Sequence, residues 1–295
     1  MSTAPPARTA RKPNDYKSGL KPIWCPGCGD FGVLASLYRA FAELDLDPAR
    51  TVIVSGIGCS SRLPGFVTTY GFHSLHGRPL PVAMGVKLAN SELTVIAVGG
   101  DGDGFAIGAG HFPHAARRNV DITYLVMDNE IYGLTKGQVS PTSLTEQKAP
   151  STPWGNLETP LNTLAFAVAS GASFVARGAS FNTKALTELI VQAIEHPGFS
   201  FIDALSPCVM FNNTMGEWKE TVTEVNPDHD PSDKVAAFEL ALRGGFALGI
   251  LYRERRATLG DKYQALLEAT RPSDLDSMLD AFSARKGTAI GKPVV

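Results

Sequence analysis

Two short apolar segments, each followed by glycine, carboxylate and amide residues, are the feature that most constrains the fold of this chain. The first covers residues 93–98 and leads into Gly99-Gly100-Asp101-Gly102-Asp103-Gly104. The second covers residues 122–127 and leads into Asp128-Asn129-Glu130. A helix-like segment separates them, so the pattern predicts a strand–helix–strand unit whose parallel strands end at one edge of a sheet. Ligands of open α/β sheets bind at that edge, and we expect the functional site there.

Strand-like and helix-like segments alternate along nearly the whole chain. This predicts an α/β fold with a mostly parallel, doubly wound sheet of about six strands and helices on both faces. We expect one domain over residues 16–258. A disordered or extended tail should precede it at residues 1–15, and a C-terminal helical extension should follow it at residues 259–295.

Charge and hydropathy exclude some classes of function. The formal net charge is only −2, so the overall charge gives no reason to expect nucleic-acid binding. No apolar segment reaches the roughly 20 residues that a membrane helix needs, so no membrane partner is expected. We therefore expect a cytoplasmic protein.

The residues after the first apolar segment suit a diphosphate held through a metal ion. Glycine lets the backbone approach a phosphate closely, and a helix N-terminus favours anions. Asp101 would repel a diphosphate unless a cation lay between them, and Mg²⁺ prefers oxygen ligands. Asn129 follows one strand–helix–strand unit later and can supply a second oxygen, with the backbone carbonyl of Ile131 as a third. Gly-Asp-Gly alone is more often a simple turn, but in combination with Asn129 it resembles the thiamine-diphosphate motif.

A dinucleotide site is a poorer interpretation of the same glycines. It requires the pattern Gly-x-Gly-x-x-Gly. Counting from Gly100, the last position is Phe105, and counting from Gly102 it is Ile107. The sequence therefore does not meet the dinucleotide-binding pattern.

The four cysteines all stand in predicted turns. Cys25 and Cys28 share a Cys-x-x-Cys loop, whereas Cys59 and Cys208 each follow the end of a predicted strand. A disulfide framework is improbable in a chain of this length without a secretion signal. Spacing alone leaves open a [4Fe–4S] cluster, a structural zinc site, or a dithiol with two buried thiols. The predicted position of Cys59 beside the glycine-rich edge favours a redox cluster, because zinc has no redox chemistry.

In combination, these motifs resemble the beta subunit of a 2-oxoacid:ferredoxin oxidoreductase, of the type that uses 2-oxoglutarate. The resemblance covers roughly residues 16–228. It is carried by Trp24-Cys25-Pro26-Gly27-Cys28-Gly29, Gly56-Ile57-Gly58-Cys59-Ser60, His76-Gly77-Arg78, Gly99-Gly100-Asp101-Gly102-Asp103, His114-Ala115-Ala116-Arg117-Arg118-Asn119, Tyr132-Gly133-Leu134-Thr135-Lys136-Gly137-Gln138 and Ser206-Pro207-Cys208.

The resemblance implies the diphosphate-binding half of a thiamine-diphosphate fold. It also implies bound thiamine diphosphate, Mg²⁺ and one [4Fe–4S] cluster. A separate alpha subunit would supply the other half of the site, in an αβ pair that forms a dimer of heterodimers. The implied reaction converts a 2-oxoacid, CoA and oxidised ferredoxin to an acyl-CoA, CO₂ and reduced ferredoxin. For 2-oxoglutarate the product is succinyl-CoA, and the reverse direction fixes CO₂ as in a reductive tricarboxylic acid cycle.

The resemblance also implies a role for each motif residue. His76 would contact the substrate; the alternative is a loop histidine that hydrogen-bonds only to backbone. Lys136 would pair with the distal carboxylate of 2-oxoglutarate; the alternative is a solvated loop lysine. The cluster ligands would be Cys25, Cys28, Cys59 and Cys208, and the Mg²⁺ ligands would be Asp101, Asn129 and the Ile131 carbonyl. The cofactor-binding residues would be Gly58, Cys59, Ser60, His76, Gly100, Asp101, Gly102, Asp103, Asn129, Ile131, Gly133, Leu134 and Thr135.

Three other functions stay open at this point. One is a pyruvate-specific or broad-specificity enzyme of the same family. Another is a non-redox thiamine-diphosphate decarboxylase or carboligase, which does not need four cysteines. The last is a zinc-stapled binding module without enzymatic activity, and a visible iron–sulfur absorption would exclude it.

Overall fold

A computed structural model describes residues 10–270 of the chain. Its described part contains one eight-stranded sheet in the order β2-β1-β3-β4-β6-β5-β8-β7. The strands are β1 (Thr51–Ser55), β2 (Tyr70–His73), β3 (Thr94–Gly100), β4 (Ile122–Asp128), β5 (Phe174–Ala179), β6 (Phe199–Leu205), β7 (Val222–Glu224) and β8 (Phe246–Arg253). The helices are α1 (Asp30–Glu43), α2 (Pro79–Ala89), α3 (Asp101–Phe105), α4 (Phe112–Arg118), α5 (Thr163–Ala169), α6 (Thr183–Glu195), α7 (Met215–Thr221), α8 (Lys234–Leu242) and α9 (Leu259–Thr270).

The predicted parallel α/β sheet is confirmed. All neighbouring strands are parallel except β5 and β8, which pair in the antiparallel direction. The six expected strands are all present, and β2 and β7 are additional. Sequence reasoning missed β2 because its four residues are all exposed and carry no alternating apolar pattern. It missed β7 because that strand has only three residues.

Helices cover both faces of the sheet and bury two separate apolar layers. On one face, α1 and α6 contribute Leu37 and Ile190 to the layer. On the other face, α2, α4, α5 and α8 contribute to the second layer, in which the ring of Phe112 from α4 lies 5.2 Å from the rings of both Phe199 and Phe201. Truncating a fully buried phenylalanine of this kind to alanine costs about 3–5 kcal/mol. Because both faces are covered, the central strand β4 is buried along its whole length, as its uninterrupted apolar sequence predicts.

The two ends of the chain are only partly described. Residues 10–15 of the predicted tail contact the segment after α1, where Arg11 pairs with Asp45 at 3.4 Å. Pro13–Tyr16 form a 3₁₀ helix, so this part of the tail is not extended, and residues 1–9 lie outside the described residues. The chain divides after Leu259, and of the second unit only residues 260–270, all within α9, are described; the rest of the predicted extension lies outside the described residues. In the described part of the chain, no helix is long and apolar enough to cross a membrane.

Candidate active site

The carboxyl ends of the central strands lie level with one another and carry the predicted site residues. Gly100 at the end of β3 pairs with Met127 of β4, and Asp128 pairs with Leu205 of β6. A cavity of 560 Å³ opens at this edge. Every residue that was predicted to bind the cofactor lines it: Gly58, Cys59, Ser60, His76, Gly100, Asp101, Gly102, Asp103, Asn129, Ile131, Gly133, Leu134 and Thr135. We call this space the cofactor cavity.

The three predicted metal ligands meet in the cofactor cavity. Asp101 is the first residue of α3 and is 2% exposed, and its Oδ1 lies 3.5 Å from the backbone nitrogen of Asn129. The Asn129 side chain accepts a hydrogen bond from the Ile131 N–H at 3.1 Å, which fixes the turn after β4. A carboxylate, an amide oxygen and a backbone carbonyl suit Mg²⁺, which commonly completes its coordination with substrate phosphates.

A group of buried carboxyl groups lies behind Asp101. The Thr142 hydroxyl is 2.8 Å from Asp101 Oδ2 and 3.0 Å from Asp128 Oδ1, so it links the two side chains. Burial, together with the negative charge of Asp101, raises the pKa of Asp128 well above its usual range. The same causes raise the pKa of Glu130 to about 8. A cation at Asp101 would offset this concentration of negative charge.

Asp103 is buried beside Asp101 but its carboxylate has different partners. Its Oδ1 accepts hydrogen bonds from the N–H of Ile57 at 2.8 Å and of Gly77 at 2.7 Å. The ring nitrogen Nδ1 of His76 lies 2.9 Å from the same oxygen. Burial raises the pKa of Asp103, while these contacts oppose the rise. Asp103 therefore joins α3 to the loop after β1 and to the loop that carries His76.

The four thiols surround a second cavity of 230 Å³, which we call the thiol cavity. Cys25 is exposed, whereas Cys28, Cys59 and Cys208 are partly buried. Burial raises the pKa of the Cys59 thiol to about 12, and Cys208 and Cys25 add to the rise. In the described residues, no three His, Cys, Asp or Glu side chains form a group that could hold a metal ion. The four thiols line this one cavity together, so they could share a cluster or an ion as its ligands.

Gly133 forms the wall between the two cavities. Both cavities are lined by Cys59, Asn129, Gly133 and Leu134. A Cβ atom at Gly133 would lie 3.4 Å from Cys208 Sγ and 3.6 Å from Cys59 Sγ. Cys59 therefore borders both cavities, and at Gly133 the cofactor cavity lies close to the Cys208 thiol as well.

Lys136 was predicted to pair with the substrate, but it does not line the cofactor cavity. It stands at the tip of a loop that is closed by the bond from the Gly137 N–H to the Tyr132 carbonyl, at 2.8 Å. The loop tip faces the thiol cavity, where Lys136 and Arg62 are the only ionisable lining side chains besides the cysteines among the described residues. Both are exposed, and neither forms an ion pair with another described residue.

Sequence reasoning missed several residues of the site. Arg62 follows Cys59 by three positions, but an isolated arginine in a loop carries no signal. Thr142 lies in a segment rich in Pro, Ser and Thr that has no periodic pattern. Asp30 is the first residue of α1, and its Oδ1 accepts a hydrogen bond from Ser206 Oγ at 2.6 Å. Asp30, Ile57, Met127, Tyr132 and Gln138 line the cofactor cavity and were not predicted to do so.

Comparison with known proteins identifies two family models along the chain. Residues 56–204 match the thiamine pyrophosphate enzyme C-terminal TPP-binding domain. Residues 208–268 match the C-terminal region of the pyruvate ferredoxin oxidoreductase beta subunit. Together the two matches run from residue 56, directly after β1, to residue 268 in α9.

Individual relatives are similar over most of the chain. Subunit beta of 2-oxoacid:ferredoxin oxidoreductase 1 from Aeropyrum pernix is 43% identical, over 94% of this chain and 92% of that protein. The 2-oxoglutarate oxidoreductase subunit KorB of Mycobacterium tuberculosis is 44% identical, over 69% of this chain and 54% of its own length. A solved 2-oxoglutarate:ferredoxin oxidoreductase from Magnetococcus marinus, with 2-oxoglutarate, coenzyme A and succinyl-CoA bound, is 46% identical. It superposes with a TM-score of 0.90 over 92% of this chain and 96% of that one.

Proposed function

Because the chain belongs to the beta subunits of the 2-oxoacid:ferredoxin oxidoreductases, we propose that it carries the cofactor and electron-transfer half of such an enzyme. With an alpha subunit it would convert a 2-oxoacid and CoA to an acyl-CoA and CO₂ while reducing ferredoxin. The observation that carries this proposal is the pair of adjoining cavities with Gly133 between them. The best-supported substrate is 2-oxoglutarate.

Thiamine diphosphate and Mg²⁺ fit the cofactor cavity, and the bound cofactor would supply the carbanion chemistry of decarboxylation. Asp101, Asn129 and the Ile131 carbonyl would hold the Mg²⁺ ion. Gly100 would let the backbone approach the diphosphate, since it carries no Cβ atom. Gly102 has to be glycine for another reason, because a Cβ atom there would overlap the ring of Tyr132. Thr142 would hold Asp101 in position, because its hydroxyl already occupies Asp101 Oδ2.

A [4Fe–4S] cluster held by Cys25, Cys28, Cys59 and Cys208 fits the thiol cavity. Its position next to the cofactor cavity supports a redox enzyme over a non-redox decarboxylase, which would need no electron acceptor there. It also supports a redox enzyme over a zinc-stapled module. Cys25 is the exposed thiol, so electrons would leave toward ferredoxin at that side.

The cations at the thiol cavity support a dicarboxylic substrate. Lys136 and Arg62 have no acidic partner among the described residues, and each lines a cavity that shares Leu134 with the cofactor cavity. A 2-oxoacid with a second carboxylate could reach them past Leu134, whereas pyruvate has no such group. The relatives whose names specify 2-oxoglutarate point the same way.

The proposed activity is tested with the subunit co-expressed with its alpha partner and purified without oxygen. We expect viologen reduction that requires both CoA and a 2-oxoacid, together with iron, sulfide and a visible absorption that reduction bleaches. Decarboxylation without viologen reduction would support the non-redox alternative. Bound zinc with neither activity would support the binding module.

The proposed specificity is tested with Lys136→Met and Arg62→Met. Loss of one exposed cation that pairs with a carboxylate costs about 1–2 kcal/mol, so kcat/KM for 2-oxoglutarate should fall about 5–30-fold. The value for pyruvate should change little. Lys184→Met, on the exposed side of α6, is the matched control. Equal losses on both substrates would remove the argument for 2-oxoglutarate.

A further inference from the structure

We propose that Asp103 is a positioning residue that fixes the tautomer and orientation of His76, so that ring atom Nε2 is presented to the cofactor cavity. The inference deepens the proposed function and rests on it for the identity of the substrate. Its structural content concerns only residues of this chain.

The geometry of Asp103 carries the first step. Its side chain is 1% exposed, and one oxygen, Oδ1, receives all three contacts from Ile57, Gly77 and His76. Oδ2 has no hydrogen-bond partner among the described residues, and it lies so close to Gly56 that a Cβ atom there would overlap it. The carboxylate is therefore held by its surroundings and cannot turn away from the imidazole ring.

The second step concerns the proton on the ring. Oδ1 of Asp103 already accepts hydrogen bonds from the N–H groups of Ile57 and Gly77, so it is an acceptor toward the ring as well, and the Nδ1 atom of His76 carries the hydrogen that points to it. The other ring nitrogen, Nε2, is then the atom that can accept or donate toward the cavity. His76 lines the cofactor cavity with 39% of its side chain exposed, so a substrate can reach the ring.

This arrangement suits a proton carrier. The ring can take up one proton at Nε2 from a substrate group and give it up at the same atom, while Nδ1 keeps its own hydrogen throughout. Asp103 would stabilise the cationic ring during that interval, as a buried carboxylate does for other catalytic histidines. If Asp103 only held the two loops together, the hydrogen bonds from Ile57 and Gly77 would be enough. Its third contact, with His76 Nδ1, determines which ring nitrogen carries the hydrogen.

Asp103→Asn separates the two roles. The amide oxygen can still accept from the N–H groups of Ile57 and Gly77, so the loops keep their hydrogen bonds. The negative charge is lost, and the amide no longer favours a hydrogen on Nδ1 as strongly. If Asp103 only joins the loops, Asp103→Asn should keep its activity. If Asp103 positions His76, the activity should fall.

The ring state is measured by ¹⁵N NMR of the αβ complex with labelled histidine, and the His76→Gln spectrum assigns the resonance. We expect the Nδ1–H tautomer in the wild type and a population shift toward Nε2–H in Asp103→Asn. An Nε2–H ring in the wild type would overturn the proposal without any variant. An unchanged tautomer together with wild-type kcat in a folded Asp103→Asn protein would also overturn it.

A kinetic cycle gives the functional readout. We expect Asp103→Asn and His76→Gln each to lower kcat about 10²-fold with little change in KM, in the range of general acid–base catalysis. Because Asp103 acts through His76, the double variant should be no slower than His76→Gln alone. Multiplied losses would show an independent role and overturn the proposal. A wild type without 2-oxoacid activity would refute the proposed function instead, and the tautomer measurement would still stand.

Discussion

Thr142 is the residue at which the structure makes the sharpest prediction about metal binding. Its hydroxyl lies 2.8 Å from Asp101 Oδ2 and 3.0 Å from Asp128 Oδ1, and all three side chains are buried. The Thr142 hydroxyl is directed toward both carboxyl groups as a donor, and burial together with the charge of Asp101 raises the pKa of Asp128. Thr142→Val removes this link with little change in side-chain shape.

The magnitude follows from the contacts that are lost. A hydrogen bond to a charged group contributes about 1.5–3 kcal/mol, and Asp101 loses one such bond. Without it Asp101 can rotate away from Asn129, so the preformed ligand pair is lost. Residues that orient a metal ligand typically change metal affinity 10–100-fold when they are replaced. We therefore expect Mg²⁺ to bind Thr142→Val about 10–100-fold more weakly at saturating thiamine diphosphate.

The measurement is a Mg²⁺ titration of the chelator-treated αβ complex, followed by calorimetry and by the recovery of viologen reduction. Thr142→Ser keeps the hydroxyl and should stay within about threefold of the wild type. Thr145→Val removes a surface hydroxyl that bonds only the Glu158 carbonyl, and it serves as the control for a generic loss of threonine. Wild-type Mg²⁺ affinity in a folded Thr142→Val protein would refute the reasoning, as would an equal loss in Thr142→Ser.

Three further predictions concern the thiols, the fold and its pH dependence. Cys59→Ala should lose the visible iron–sulfur absorption and viologen reduction; retained electron transfer would rule out its ligand role. Asn119 has a left-handed backbone, with φ 52°, and its side chain makes four hydrogen bonds, so Asn119→Ala should lower the free energy of unfolding by about 3–5 kcal/mol. Asn119→Gly should lose about 1 kcal/mol less in chemical denaturation because glycine tolerates that backbone. Burial, with Arg255 and Arg253 nearby, lowers the pKa of His196 to about 4, so the stability it contributes is present above the unfolded pKa near 6.5 and is lost as pH falls toward 4. His196→Asn should flatten that part of the stability curve, and an unchanged slope would contradict the assignment.

The sequence predicted the site better than it predicted the edges of the sheet. The central strands are buried on both faces, so each appears as an uninterrupted apolar segment that ends in polar residues. Parallel strands bring those ends together without any long-range information, which is why Asp101 and Asn129 could be paired. The strand β2 carries no such signal, because all its residues are exposed.

Side-chain direction is what the sequence did not reveal. Asp101 and Asp103 are two positions apart on α3, yet one faces Thr142 and the other faces His76. Lys136 stands within the predicted cofactor loop, but the turn at Gly137 directs it to the thiol cavity. These directions depend on contacts with distant loops, so no local pattern reports them.

The glycine wall at Gly133 also bears on how subunits of this kind could diverge. The thiols of Cys59 and Cys208 lie close to one side of Gly133 and the cofactor cavity lies on the other, so a Cβ atom there would contact both thiols and a longer side chain would have to enter one of the two cavities. Leu134 and Lys136 are exposed at the loop tip, so larger or differently charged side chains fit there. Related enzymes that prefer different 2-oxoacids should therefore vary at the loop tip and keep a small residue at position 133. Substrate choice can then evolve without lengthening the electron path.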